Sequence, residues 1–168
     1  MSLALRRAEP RAVDFLLDLL TDADTEPFLG RAGWSHADVL ADVERSAGEP
    51  EEFGWFVFEL DGEPAGCASF RRSSEKNRIA EAGRFAVAPR LRGRGVGVDA
   101  ARLFQRHLLR ELGFHRIEVK VYGFNARAVA HAERAGYVRE GVKRRAYLKG
   151  GAWQDAVLFA LLEEDLDG

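Results

Sequence analysis

The chain has a single cysteine, Cys67, in 168 residues, which excludes an internal disulfide framework and a thiolate zinc set. Its four histidines, at 36, 107, 115 and 131, fall at no metal-ligand spacing, so no metal is expected. No run approaches the ~18 uninterrupted apolar residues of a membrane-spanning helix. Met1 to Arg7 also lacks a long apolar segment with a small-residue cleavage site. A cytoplasmic protein without membrane contact is the expectation. Charge of one sign is missing too: 25 Lys and Arg against 27 Asp and Glu leave a formal net charge of −2. Nothing therefore draws the chain as a whole to nucleic acid, and any basic site must be local. No Gly-Lys-Ser/Thr occurs, so there is no Walker loop.

What is present suits one globular domain over residues 1–168, with 46% apolar and 31% charged residues and no linker-like tract or repeat. Strands and helices alternate along it. A strand at Leu3–Arg6 precedes a helix from about Pro10 to Leu20, with Val13, Leu16, Leu17 and Leu20 on one face. Residues 21–33 read as a polar loop, and Ser35 caps a second helix whose stripe is Val39, Leu40 and Val43. Trp55–Leu60 and Ala65–Phe70 flank Asp61-Gly62-Glu63-Pro64, a hairpin signal, and Cys67 reads as a small buried residue of that second strand. Arg71–Arg78 reads as a polar connection. It leads to a strand at Ala80–Ala88, a helix ended by Gly113, and a strand at Arg116–Val121. Strand, helix and strand joined so closely predict parallel neighbours. A helix at Asn125–Ala135 follows, then two antiparallel strands, Tyr137–Tyr147 and Trp153–Leu162, around Lys149-Gly150-Gly151. His107 and His131 fall within helices and read as structural or solvent-facing.

The most informative stretch is Val87-Ala88-Pro89-Arg90-Leu91-Arg92-Gly93-Arg94-Gly95-Val96-Gly97. Glycine takes positive φ and lets backbone N–H groups approach a ligand with no Cβ in the way. The helix that follows points its dipole and unpaired N–H groups at the same place, which is anion-binding chemistry. Gly95-Val96-Gly97-Val98-Asp99-Ala100 also satisfies a dinucleotide fingerprint. Pro89 to Gly93 intervene between strand and glycines, however, and no acidic residue closes the next strand, since Ile117–Val121 runs into Tyr122 and Gly123.

Arg92-Gly93-Arg94-Gly95-Val96-Gly97 resembles the Arg/Gln-x-x-Gly-x-Gly/Ala cofactor loop of the GNAT N-acetyltransferases, and Arg90 to Gly95 fits the same pattern two residues earlier. The likeness extends to Asn125-Ala126-Arg127-Ala128 with Ala135-Gly136-Tyr137, and to Gly151-x-Trp153-x-Asp155 before an apolar strand. That last block, with the opening Leu5-Arg6-Arg7-Ala8, is similar to the branch containing the ribosomal-protein N-terminal acetyltransferases. Agreement of several blocks in the right order outweighs one short motif. The resemblance implies an α/β (α+β) fold: a mixed, mostly antiparallel sheet flanked by helices and opened into a V between its fourth and fifth strands. Acetyl-coenzyme A would lie in the V as co-substrate, its pantetheine arm along Phe85 and Val87. Arg92, Gly93, Arg94, Gly95, Val96 and Gly97 would hold its pyrophosphate. Asn125 would reach the pantetheine or the sulfur end, or cap its helix, or do both.

The implied function is transfer of an acetyl group to a primary amine, on a protein N-terminus or a small molecule, by direct attack. A non-catalytic acetyl-coenzyme A sensor and a nucleotide- or dinucleotide-binding protein are the alternatives; the acceptor itself has no recognisable code, and a homodimer is compatible with the resemblance. An ammonium has no lone pair, so something must accept its proton; a carboxylate, directly or through water, is the usual solution, and Glu81 and Glu118 are the candidates. Many relatives place a tyrosine seven residues after the asparagine, where this chain has Ala132. Tyr122, Tyr137 and Tyr147 remain as acids for the leaving thiolate. A thiol of pKa near ~8.5 also leaves unaided at modest cost.

Overall fold

The computed structural model describes residues 1–167. Strand β1 (Leu3–Arg7) forms one edge of a seven-stranded sheet and pairs antiparallel with β2 (Phe53–Leu60). Between them run α1 (Val13–Thr21), entered through a 3-10 turn at Pro10–Ala12, and α2 (His36–Gly48). A capping box fixes the start of α2: Asp38 N donates to Ser35 Oγ at 3.1 Å, and Ser35 N donates to Asp38 Oδ2 at 2.9 Å. Helix α1 buries Val13, Leu16, Leu19 and Leu20. Leu19 joins the buried face and Leu17 is only partly covered, because α1 packs on both α2 and the sheet.

The hairpin after β2 turns on two residues, Asp61 (φ 52) and Gly62 (φ 85), both in the left-handed region. Strand β3 (Glu63–Ser74) then runs past Phe70 into the stretch expected to be a polar connection. Polarity does not end it because the ladder continues there, with Arg71 opposite Glu81 and Arg72 opposite Ala80. Strand β4 (Ile79–Val87), helix α3 (Val96–Arg106) and strand β5 (Arg116–Tyr122) form the parallel unit that the sequence predicts. A wide turn at His107–Glu111 extends α3, and Gly113 (φ 77) ends it. Helix α4 (Ala126–Arg134) leads to β6 (Val138–Lys149) and β7 (Ala152–Leu162), with β7 inserted between β5 and β6, so that the order is β1-β2-β3-β4-β5-β7-β6.

Two helical layers cover the sheet. Alternate residues of β2 separate them: Phe53, Trp55 and Val57 pack with α1 and α2, and Phe56 and Phe58 pack with α3. The layer of α3 and α4 covers Ile117, Val119 and Val121 of β5. Glu118, Lys120 and Tyr122 point to the opposite face.

Candidate functional site

Strands β4 and β5 share three residue pairs, Ile79 with Arg116, Ala80 with Ile117 and Glu81 with Glu118, and then diverge. The split opens a cleft of about 1240 Å³ lined by residues from both faces of the sheet. The β5-facing edge of β4 from Ala82 to Val87 has no strand partner, so apart from Val87 O, which accepts from Arg92 Nε, its backbone groups lie open to a ligand. A bulge around Arg84 (φ 46) changes which side chains face where. Ala80 and Ala82 pack on the α3 side, and beyond the bulge so do Phe85 and Val87. Arg84 is thereby sent to the other face, between Trp34, Trp55 and Phe53, with its carbon Cζ 4.6, 4.7 and 5.4 Å from their ring centres. Its Nη1 pairs with Asp42 at 2.8 Å. Burial lowers the Arg84 pKa and the Asp42 carboxylate opposes the shift.

At the end of β4 a 3-10 turn, Pro89–Leu91, delivers the chain to the glycines. Gly93 and Gly95 both have φ 78, and a Cβ at either would meet no atom within 4 Å. They are needed for the backbone's left-handed turn, which leaves open space over the loop. Gly95 is the N-cap of α3, and no side chain caps that helix. Its first N–H groups are therefore available to an anion. The arginines differ: Arg90 donates to Pro64 O at 3.0 Å, and Arg92 donates to Thr25 Oγ1 at 2.6 Å and Val87 O at 3.3 Å. Arg92 is thus committed to protein partners, whereas exposed Arg94 carries no ion pair among the described residues.

Helix α4 supplies a further wall. Asn125 lines the cleft and also caps α4, its Oδ1 accepting from Ala128 N at 3.1 Å. His131, read from sequence as structural or solvent-facing, lies on the cleft wall instead. Its ring stacks on Phe85 at 4.9 Å and 29°. Burial lowers its pKa, with Arg134 adding to the effect. Its place three residues after Ala128 on one helical face was the available signal. Ala132, where relatives carry a tyrosine, is 3% exposed.

On the opposite face, Glu81 lines the cleft, 2.7 Å from Arg71 Nη2 and 3.6 Å from Lys120 Nζ. Glu118 shares that face but is not on the cleft wall; Arg116 Nε donates to it at 3.0 Å. Arg116 also grips Glu140, which holds that carboxyl below its ordinary pKa. Tyr122 lines the cleft, its ring 5.2 Å from Phe124 and 6.4 Å from Tyr147. The Tyr137 hydroxyl is enclosed, and burial pushes it up to about 12. Residues 22–33 form a strap across this mouth. Arg92 holds the strap through Thr25; on the other side Lys149 Nζ donates to Leu29 O at 2.8 Å, and Phe28 meets Phe124 at 6.0 Å. Among the described residues no group of three or more His, Cys, Asp or Glu is placed to hold a metal, and no helix is long and apolar enough to cross a membrane.

The sheet splits between its one parallel pair, and an open helix N-terminus stands at the end of the free strand. Residues 13–137 match the acetyltransferase (GNAT) family, and the chain belongs to it. A probable N-acetyltransferase, YjcK of Bacillus subtilis, is 34% identical over 73 residues, 44% of this chain and 40% of the relative. A putative ribosomal N-acetyltransferase, YdaF of the same organism, is 29% identical over 108 residues, 64% of this chain and 58% of its own length, which supports the ribosomal-type branch. The chain thus spans about half the length of these curated relatives. The fold is that of spermidine N-acetyltransferase from Vibrio cholerae, solved with CoA and spermine. The TM-score is 0.88 at 20% identity, over 99% of this chain and 98% of that one.

Proposed function

We propose that this chain moves an acetyl group from acetyl-coenzyme A to a primary amine by direct attack of the amine on the thioester, in the cytoplasm. The observation that carries this is the divergence of β4 and β5 beyond Glu81 and Glu118, which opens one passage to both faces of the sheet. On the α3 side lie the groups for the cofactor: the free edge at Phe85 and Val87, and the N–H groups from Gly93 to Gly97. Asn125 and His131 close that wall, while exposed Arg94 stands in the loop beside the cleft without lining it. The relatives named above share amine acceptors, and that is the acceptor class carried over to this chain.

Chemistry follows from the two faces. An alkylammonium titrates near ~10.4 and a peptide α-amino group near ~8, so each needs a proton acceptor at neutral pH. Glu81 is the carboxylate on the cleft wall and takes that role in this reading, directly or through water. The N–H near Val87 faces the thioester oxygen and stabilises its developing charge. Tyr122 and Tyr147 both line the acceptor face, and in this reading protonation of the leaving thiolate falls to Tyr122 or to solvent.

Thiol release from acetyl-coenzyme A, followed with and without a panel of amines, tests the proposal. Amine-dependent release with mass-detected acetylation of the amine is the expected result. Tight acetyl-coenzyme A binding with no release for any amine would instead identify a sensor.

A further inference from the structure

The acceptor mouth is rich in aromatic surface and poor in negative charge. Phe28, Trp34, Tyr122 and Tyr147 line it. Phe124 stacks on Tyr122 with an interplanar angle of 13° and touches Phe28, so Phe28, Phe124, Tyr122 and Tyr147 form one continuous run of rings. Phe28, on the cleft wall, is 42% exposed, and Phe124, just outside that wall against Tyr122, is 46% exposed. Exposed aromatic surface in that position is what a ligand covers.

Charge narrows the ligand further. Asp24 and Glu81 are the carboxylates on the cleft wall, against Arg31, Arg84 and Lys120 at the same end. Glu81 already faces Arg71 and Lys120, so its negative charge is shared between two cations. Arg31 is held by Asp38 at 2.9 Å and lies over the Trp34 ring at 4.1 Å. Arg31 and Arg84 are each already paired, with Asp38 and Asp42, so a polycation brought here would find only Asp24 and the shared Glu81 on the wall, and each ammonium beyond those would lose hydration without gaining a partner. A single ammonium needs only Glu81. The body attached to that amine then falls on the ring cluster.

Building on the amine-acetyltransferase reading above, we propose that the acceptor is a primary amine carried on an aromatic or apolar body with no second positive charge. The amine enters beside Glu81, and the body rests on Phe28, Tyr122 and Phe124. An arylalkylamine and a peptide with an aromatic first residue share this chemistry.

The test uses the full chain with acetyl-coenzyme A and four acceptors: phenethylamine, ethylamine, an uncharged Phe-initiated tripeptide amide, and spermidine. Expected is a kcat/KM for phenethylamine or the peptide at least about tenfold above both ethylamine and spermidine, the discrimination a buried aromatic contact supplies. Whichever ring-bearing acceptor is faster identifies the source. Phe124→Ala should cut the phenethylamine-to-ethylamine ratio toward unity, mainly through KM for phenethylamine, while acetyl-coenzyme A still raises the melting temperature. Preference for spermidine, no advantage from the ring, or an unchanged ratio in Phe124→Ala overturns the assignment while leaving the acetyltransferase reading intact. Failure of every amine to release thiol overturns both.

Discussion

Arg92 and Thr25, separated by 67 residues, meet at 2.6 Å between Nη2 and Oγ1. One belongs to the loop that opens α3 and the other to the strap over the acceptor mouth, so the two ligand-facing loops on opposite sides of the sheet are joined directly. Asp22 stands behind the contact, 3.8 Å from the same guanidinium nitrogen.

Thr25 is 6% exposed and its hydroxyl also donates to Asp22 Oδ2 at 3.0 Å, so breaking the Arg92 contact removes one of the two partners of a sheltered polar group. Arg92→Ala should lower the unfolding free energy by about 1.5–3 kcal/mol, the range for a hydrogen bond to a charged group. A double-mutant cycle with Thr25→Val, read by urea denaturation, should give a coupling of about 1 kcal/mol. Strict additivity would mean that the loops are not joined through these residues.

Two glycines of the same loop should separate backbone strain from ligand contact. Gly95→Val forces a β-branched residue to φ 78 and should cost about 1–2 kcal/mol of stability as well as acetyl-coenzyme A binding. Gly97 lies inside α3, and a Cβ there would sit 3.4 Å from the His131 ring, an ordinary contact. Gly97→Ala should therefore gain up to about 0.4–1 kcal/mol of stability. If the pyrophosphate lies against it, calorimetry will show weaker acetyl-coenzyme A binding in this more stable variant.

If Glu81 takes the proton, Glu81→Gln should reduce turnover by about 10²- to 10⁴-fold with little change in acetyl-coenzyme A affinity. The deficit should shrink as pH rises toward the acceptor's own pKa, where free amine no longer needs the enzyme. Glu118→Gln, altering a carboxylate held by Arg116 off the cleft wall, should keep turnover within a fewfold of the parent. The reverse ranking in steady-state assays would move the base to β5.

His131 gives the stability a pH dependence of definite sign. Its folded-state pKa lies below the ordinary 6.5 because burial penalises the charged ring. Its contribution is complete above that value and is lost as pH falls through it toward the lowered folded pKa. Melting temperature should decline below about pH 6.5, and His131→Gln should flatten that part of the profile. A profile of the same slope would assign the loss to other groups.

Cys67 behaves oppositely. Burial pushes its thiol from 9.0 to about 11, so it stays protonated at pH 8 in the fold. Its stabilising share is present below 9 and fades as pH rises toward 11. Iodoacetamide at pH 8 should label it only as fast as the protein opens, with labelling rising through the denaturant transition.

Local rules carried the sequence reading far. The Ser35 cap, the Asp61-Gly62 turn, the helix stop at Gly113 and the strand-helix-strand unit around α3 all depend on nearby residues, and all stand in the structure. The continuation of β3 to Ser74 was hidden because its support, the ladder to β4, comes from another strand. The glycine loop was legible as an open helix N-terminus, yet the direction of Arg92 toward Thr25 was not, since nothing near residue 92 identifies a partner so far away. The same applies to Glu81 and Glu118. Family resemblance favours Glu81 as the base only to within two residues, and it is the divergence point of two strands that puts Glu81 on the cleft wall and Glu118 beside Arg116.

Three rungs between β4 and β5 are a narrow spine for two leaves of sheet. Amides along the free edge of β4 should then exchange with solvent through small local openings rather than global unfolding. A molecule seated on that edge acts as a further rung, and at about 100 times its dissociation constant it adds ~2.7 kcal/mol to the folded state. Occupancy and foldedness become one quantity for such a protein: the supply of its ligand sets how much intact protein survives, before any turnover is counted.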